Sequence, residues 1–126
     1  MISRVRWALA GLLLLACSGE YTGPVSGTLN LSLTSPQGAQ GAVLFTVSGG
    51  PVDTVEAVGY ELYSARVDAS TWRVIVVGEL ASGTVAQIRI PDNRQASQYM
   101  ATVHQVALRS GYAPRDPAGY TIVLAP

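Results

Sequence analysis

Leucine stands at every second position of Thr28-Leu29-Asn30-Leu31-Ser32-Leu33-Thr34, with a small polar residue at each place between. A period of two puts the leucines on one face of an extended segment and the polar residues on the other, which predicts a half-buried β-strand. The pattern recurs at short intervals. Residues 42–48 place Val43, Phe45 and Val47 on one face, and residues 84–90 turn Ala86, Ile88 and Ile90 inward with Gln87 and Arg89 outward. Tyr120, Ile122 and Leu124 form a last strand. Between these segments lie Ser35-Pro36-Gln37-Gly38, Gly49-Gly50-Pro51, Ser82-Gly83 and Pro91-Asp92-Asn93, whose glycines and prolines stop strands and make turns.

Three further segments are less regular. In residues 54–67, Val55 and Ala57 share one parity and Tyr60 and Leu62 take the other; Gly59 between them predicts a bulge within one long strand. Residues 71–80 are the most apolar run, with Trp72, Val74 and Val76 on one side and Ile75 and Val77 on the other. That composition suits a strand covered on both faces, or one near a membrane tether. In residues 98–109 the apolar parity runs through Tyr99, Ala101 and Val103 and then shifts to Val106 and Leu108, so a bulge is expected near His104 or Gln105. Residues 111–119, with Pro114 and Pro117, read as a loop. Seven strands at regular spacing predict an all-β fold, a single antiparallel β-sandwich of immunoglobulin-like or cohesin-like type over residues 28–126.

The N-terminus obeys a different grammar. Arg4 and Arg6 are followed by a nine-residue apolar run from Trp7 to Leu15, a small residue, Ala16, and the chain's single cysteine, Cys17. A run that short falls well below the roughly 20 residues needed to span a bilayer, so the segment reads as a signal peptide over residues 1–16. Leu14-Leu15-Ala16-Cys17 resembles the lipobox of bacterial lipoproteins. That resemblance implies cleavage before Cys17, lipid on its thiol, and anchoring to a membrane of the bacterial cell envelope. Ser18, rather than an aspartate, follows the cysteine, which implies the outer membrane in a Gram-negative organism. Residues 17–27 are rich in glycine and small polar residues and form a short linker, reaching at most about 33–36 Å over ten extended residues. The domain is then held close to the membrane surface. One cysteine makes no internal disulfide, so the core alone must hold the fold.

A second resemblance covers most of residues 28–125. Gly41-Ala42-Val43-Leu44-Phe45-Thr46-Val47, Trp72-Arg73-Val74-Ile75-Val76-Val77-Gly78 and Gly83-Thr84-Val85-Ala86-Gln87-Ile88-Arg89-Ile90-Pro91 succeed one another in an order similar to cohesin and carbohydrate-binding-module sandwiches of bacterial extracellular proteins. The resemblance implies a binding module. Cohesins bind dockerin modules through one sheet face, but no recognition residue carries over.

Composition narrows the chemistry. The chain has no lysine, and without the leader six arginines stand against eight acids, a formal charge of −2. That balance offers no basic stripe for nucleic acid and no polybasic membrane patch. His104 is the sole histidine, with no nucleophile or carboxylate assigned to it, and Cys17 is committed to lipid. Asp53, Asp68, Asp92 and Asp116 fall at turns, where aspartate caps the backbone locally. They form no cluster of the kind calcium needs. No catalytic constellation, metal or cofactor is therefore expected. The expected function is a non-enzymatic, membrane-anchored module of the cell envelope with a protein partner; the alternative is a carbohydrate-binding surface lipoprotein. Candidate binding residues are the aromatics Tyr60, Tyr63, Trp72 and Tyr112, which could form a protein hot spot or a platform for sugar rings. Tyr99 and Tyr120 lie on apolar parities and are expected in the core.

Overall fold

A computed structural model describes residues 23–126. The leader, Cys17 and most of the linker lie outside the described residues. From Gly23 onward the chain builds a two-layered antiparallel β-sandwich. Strands are β1 (Gly27–Thr34), β2 (Gln40–Ser48), β3 (Thr54–Ala57), β4 (Glu61–Asp68), β5 (Thr71–Leu80), β6 (Gly83–Ile90), β7 (Met100–Ala107), β8 (Pro114–Arg115) and β9 (Thr121–Ala125), with one 3-10 helix, Asn93–Gln98, before β7. One sheet has the order β3-β6-β1-β9 and the other β4-β5-β2-β7-β8.

The alternating residues meet in the middle. Leu29, Leu31 and Leu33 of β1 and Ala86, Ile88 and Ile90 of β6 face Val43, Phe45 and Val47 of β2 and Val74 and Val76 of β5, all buried. At roughly 25 cal/mol per Å² of apolar surface, this shared layer is the main favourable term, and it needs no covalent staple. Tyr99 and Tyr120 are buried as their parity predicts. The Tyr99 hydroxyl donates to the Pro51 carbonyl and ties the start of β7 to the chain leaving β2. Gly49, at φ +115°, allows that same approach, since a Cβ there would run into the Gln98 carbonyl.

The structure differs from the sequence reading in three places. The segment expected as one bulged strand is two strands in different sheets: β3 pairs with β6 and β4 with β5. Gly59, at φ +79°, sits at the crossover between sheets. A bulge and a crossover both reverse apolar parity, so the pattern alone did not separate them. Second, the loop after β7 contributes the two-residue β8, which pairs Pro114 with Ala107 and Arg115 with Val106. Nine strands therefore replace seven. Third, β5 is not covered on both faces. Val74, Val76 and Leu80 are buried, but Ile75 on the other face remains 38% exposed, because among the described residues no third layer lies over this sheet. The bulge expected near His104 is present: the β2–β7 register shifts between Leu44/Gln105 and Phe45/Val103, leaving His104 as the extra residue.

Candidate functional site

The outer faces of the two sheets are built from different chemistry. Across the four-stranded sheet, adjacent strands align Glu56, Gln87, Asn30 and Ala125 in one row. There the Gln87 amide donates to Asn30 Oδ1 at 2.8 Å. Across the five-stranded sheet the equivalent row reads Tyr63, Ile75, Leu44 and Gln105, and the next reads Glu61, Val77, Ala42, Ala107 and Pro114. These two rows are largely apolar where a solvent-facing side of an antiparallel sheet is usually polar, whereas the next row of the same face, Ala65, Arg73, Thr46 and Thr102, is not.

Near β8 that face deepens into a groove of about 360 Å³. Ala42, Leu44 and Ile75 lie along its floor, and Tyr112, Pro114 and Pro117 belong to the loop that walls it. His104, Gln105 and Arg115 supply the polar groups. The bulge explains two of them. Because His104 is an extra residue, both it and Gln105 line the groove while Val103 and Val106 keep their inward parity. The His104 ring nitrogen Nε2 lies 3.0 Å from the Thr46 hydroxyl. Tyr112 is held at φ +52°, a left-handed conformation uncommon for a bulky side chain, between Gly111 and Ala113 at the tip of the loop. Its ring covers Gly41, where a Cβ would stand 3.0 Å from Tyr112 Cε1.

The groove sits at one end of the sandwich. β1 runs from Gly27 to Thr34, and β2 returns from Gln40, so Ala42 and its neighbours Ala107 and Pro114 lie at the end opposite Gly27. The chain enters at the other end, where the Val25 carbonyl accepts from Asn93 N–H at 2.8 Å.

Of the four candidate aromatics, two reach this face. Tyr112 lines the groove and is 53% exposed; Tyr63, 61% exposed, stands beside Ile75 in the adjoining row. Tyr60 turns inward, half-buried against the core, and lies where a Cβ on Gly78 would meet its ring. Trp72 is half-buried on the inner parity of β5, and its indole N–H is buried without a hydrogen-bond partner. The candidates thus form no single row. Leu44, Ile75, Pro114 and Arg115 were not singled out from the sequence. The available signal was an apolar residue on the outward parity of β2 and of β5.

The turn aspartates act on their own backbones. Asp68 accepts from Ser70 N–H at 2.9 Å, Asp92 from Arg94 N–H at 3.0 Å and Asp116 from Ala118 N–H at 3.0 Å. The Arg94 guanidinium and then its N–H hold the Asp92 carboxyl below the usual range, and the Ser70 N–H does the same for Asp68. Among the described residues no three histidine, cysteine or acidic side chains converge as a metal set would. No family model, no curated protein and no solved structure matches the chain.

Proposed function

We propose that this chain is a membrane-anchored, non-enzymatic module of the bacterial cell envelope that binds a protein partner through the outer face of its five-stranded sheet. The observation that carries the reading is the contrast between faces. One outer face is mostly hydrogen-bonding side chains, with Val123 the exposed exception, whereas the other exposes Tyr63 and Ile75 and carries the half-buried Leu44 and Val77 beside an apolar groove. An open apolar surface rimmed by polar groups suits a protein interface, with Tyr112 and Arg115 of the residue types that anchor such contacts. A glycan platform would call for a co-planar aromatic row, and Tyr60 and Trp72 face inward instead. The lipid on Cys17 supplies the anchor in this reading, and the short linker keeps the partner in or near the same membrane.

The test is differential capture from detergent-solubilised membranes with the full chain and two variants. A partner held by the native chain and by Gln87→Ser, but lost with Leu44→Ser, supports the reading. Retention by Leu44→Ser, or loss of a bound glycan rather than a protein, overturns it. Mass spectrometry of the mature N-terminus tests the anchor separately: an unmodified peptide beginning elsewhere than Cys17 removes it.

A further inference from the structure

Four strands form the edges of the two sheets, and they are not equally protected. β8 is two residues long and begins with Pro114. β3 has four residues. β9 has five and is followed directly by Pro126. β4 has eight residues, without proline or lysine, and every one but Leu62 is exposed. An edge strand of that kind is a template for another strand, since one row of its N–H and C=O groups lacks a ladder partner. Ser64 and Arg66, on the inner parity, are exposed as well, so β4 projects beyond the cover of the opposite sheet.

We propose that β4 pairs antiparallel with β4 of a second copy of this chain, joining the two five-stranded sheets into one sheet of ten strands. The occupant is selected by register and charge. A two-fold axis normal to the sheet keeps each outer face outward, so it can pair only residues of the same parity. β4 is regular against β5 from Glu61 to Arg66 and shifts after it. A pairing centred on Tyr63 uses the regular segment from Glu61 to Ala65 on both copies. It puts Tyr63 against Tyr63 of the second copy at the axis, and Glu61 against Ala65. Behind Ala65, in the same row, stands Arg73. With strands about 4.7–4.9 Å apart, Glu61 of one copy lies two strands from Arg73 of the other, with only a methyl group between. The two long side chains can close that gap, and symmetry makes the ion pair twice. The alternative centred on Ser64 instead sets Glu61 against Val67, where the register breaks.

The pairing also makes the outer apolar row continuous, from Leu44 and Ile75 through the two tyrosines to Ile75 and Leu44 of the second copy. The axis places the two tether ends at opposite ends of the joined sheet. Linkers reaching about 33–36 Å let both anchors enter one membrane when the strands lie along its surface. The proposal stands on the edge geometry and does not require the partner-binding reading above.

The experiment uses the full chain in membranes and in detergent. Single cysteines at Leu62, Tyr63 and Ser64 are oxidised, with the native chain, whose cysteine is Cys17, as control. Facing residues of an antiparallel pair have Cα atoms about 4.5–5.5 Å apart, within the span of a disulfide. Tyr63→Cys should give the dominant cross-linked dimer. Sedimentation of the purified chain should show a dimer in the native protein, a monomer for Glu61→Arg and for Arg73→Glu, and a dimer again when both reversals are combined. Rescue in the double variant separates the ion pair from misfolding, and so does circular dichroism of each single variant. A native chain that is monomeric with no cross-link at Tyr63, or a dimer indifferent to both charge reversals, overturns the proposal.

Discussion

The two sheets share one core and differ on their outer sides. In the four-stranded sheet, inward leucines and isoleucines alternate strictly with Thr28, Asn30, Ser32, Gln87 and Arg89. In the five-stranded sheet the inner face is as apolar, but Leu44, Ile75 and Val77 put apolar groups outward too. Burial explains the inward apolar residues on both sides, because each removes apolar surface from water. It explains none of the outward apolar residues of the second sheet. Within one domain, then, the first sheet shows what the fold requires, and the outward apolar groups of the second are in excess of that requirement.

The inner faces should prove equivalent, and this is the largest effect. Phe45→Ala in the five-stranded sheet should cost about 3–5 kcal/mol and Leu31→Ala in the four-stranded sheet about 2–5 kcal/mol, the usual loss for emptying a filled core site. Urea denaturation at fixed pH measures both. A near-neutral result for either would show that its sheet does not contribute equally to the core.

The outer faces should separate stability from stickiness. Ile75→Thr keeps the β-branched shape, so it should change stability by no more than about 1 kcal/mol, the span of strand preferences. It should nevertheless reduce binding of an apolar fluorescent probe. Replacing Asn30 and Gln87 together by valine removes the paired amides and should be comparably small in stability, yet create probe binding on the other sheet. If probe fluorescence ignores both changes, the difference between the faces has no consequence in solution.

The most local effect lies where the chain crosses between the sheets. Burial, and then the nearby Asp53 and Asp92 charges, push the Tyr99 phenol above its ordinary value of 10.0. Below that pH both states keep the proton. As pH rises through it, the unfolded chain releases its proton first while the folded chain retains it, so stability should fall with rising pH. Tyr99→Phe should lose about 0.5–1.5 kcal/mol at neutral pH with the bond to Pro51, and should flatten this alkaline decline. Thermal melts between pH 8 and pH 11 read both. An equal decline in the variant would assign the effect to other groups.

How far the sequence carried differs along the same lines. Strands β1, β6 and β9 of the polar-faced sheet were legible because alternation reports burial on one side directly, as Leu29, Leu31 and Leu33 do. The inward placement of Phe45 and the bulge at His104 were legible for the same reason. The crossover at Gly59 was not, since reversed parity does not reveal which sheet the next strand joins. The groove was hidden more deeply. Leu44, Ile75, Tyr112 and Pro114 come from three strands and a loop, and only long-range pairing makes them neighbours. The loop itself carries two prolines and no alternation, so β8 left no periodic trace.

The bulge in β7 bears on how this domain can change length. Its extra residue is His104, and the ladders on either side of it are in phase with β2: Val103 opposite Phe45 and Gln105 opposite Leu44. Excising His104 would therefore join two stretches that already agree, leaving Val103 and Val106 inside and Gln105 outside. Excising Gln105 instead would leave the same alternation, with His104 outside between Val103 and Val106, whereas excising Thr102 or Val103 would turn His104 to the wrong side, because a one-residue slip inverts a strand. The fold thus has room to lose one residue within a core strand, and either residue that could go lines the groove. Either deletion would reshape the groove's polar edge while leaving the inward residues of β7 in place.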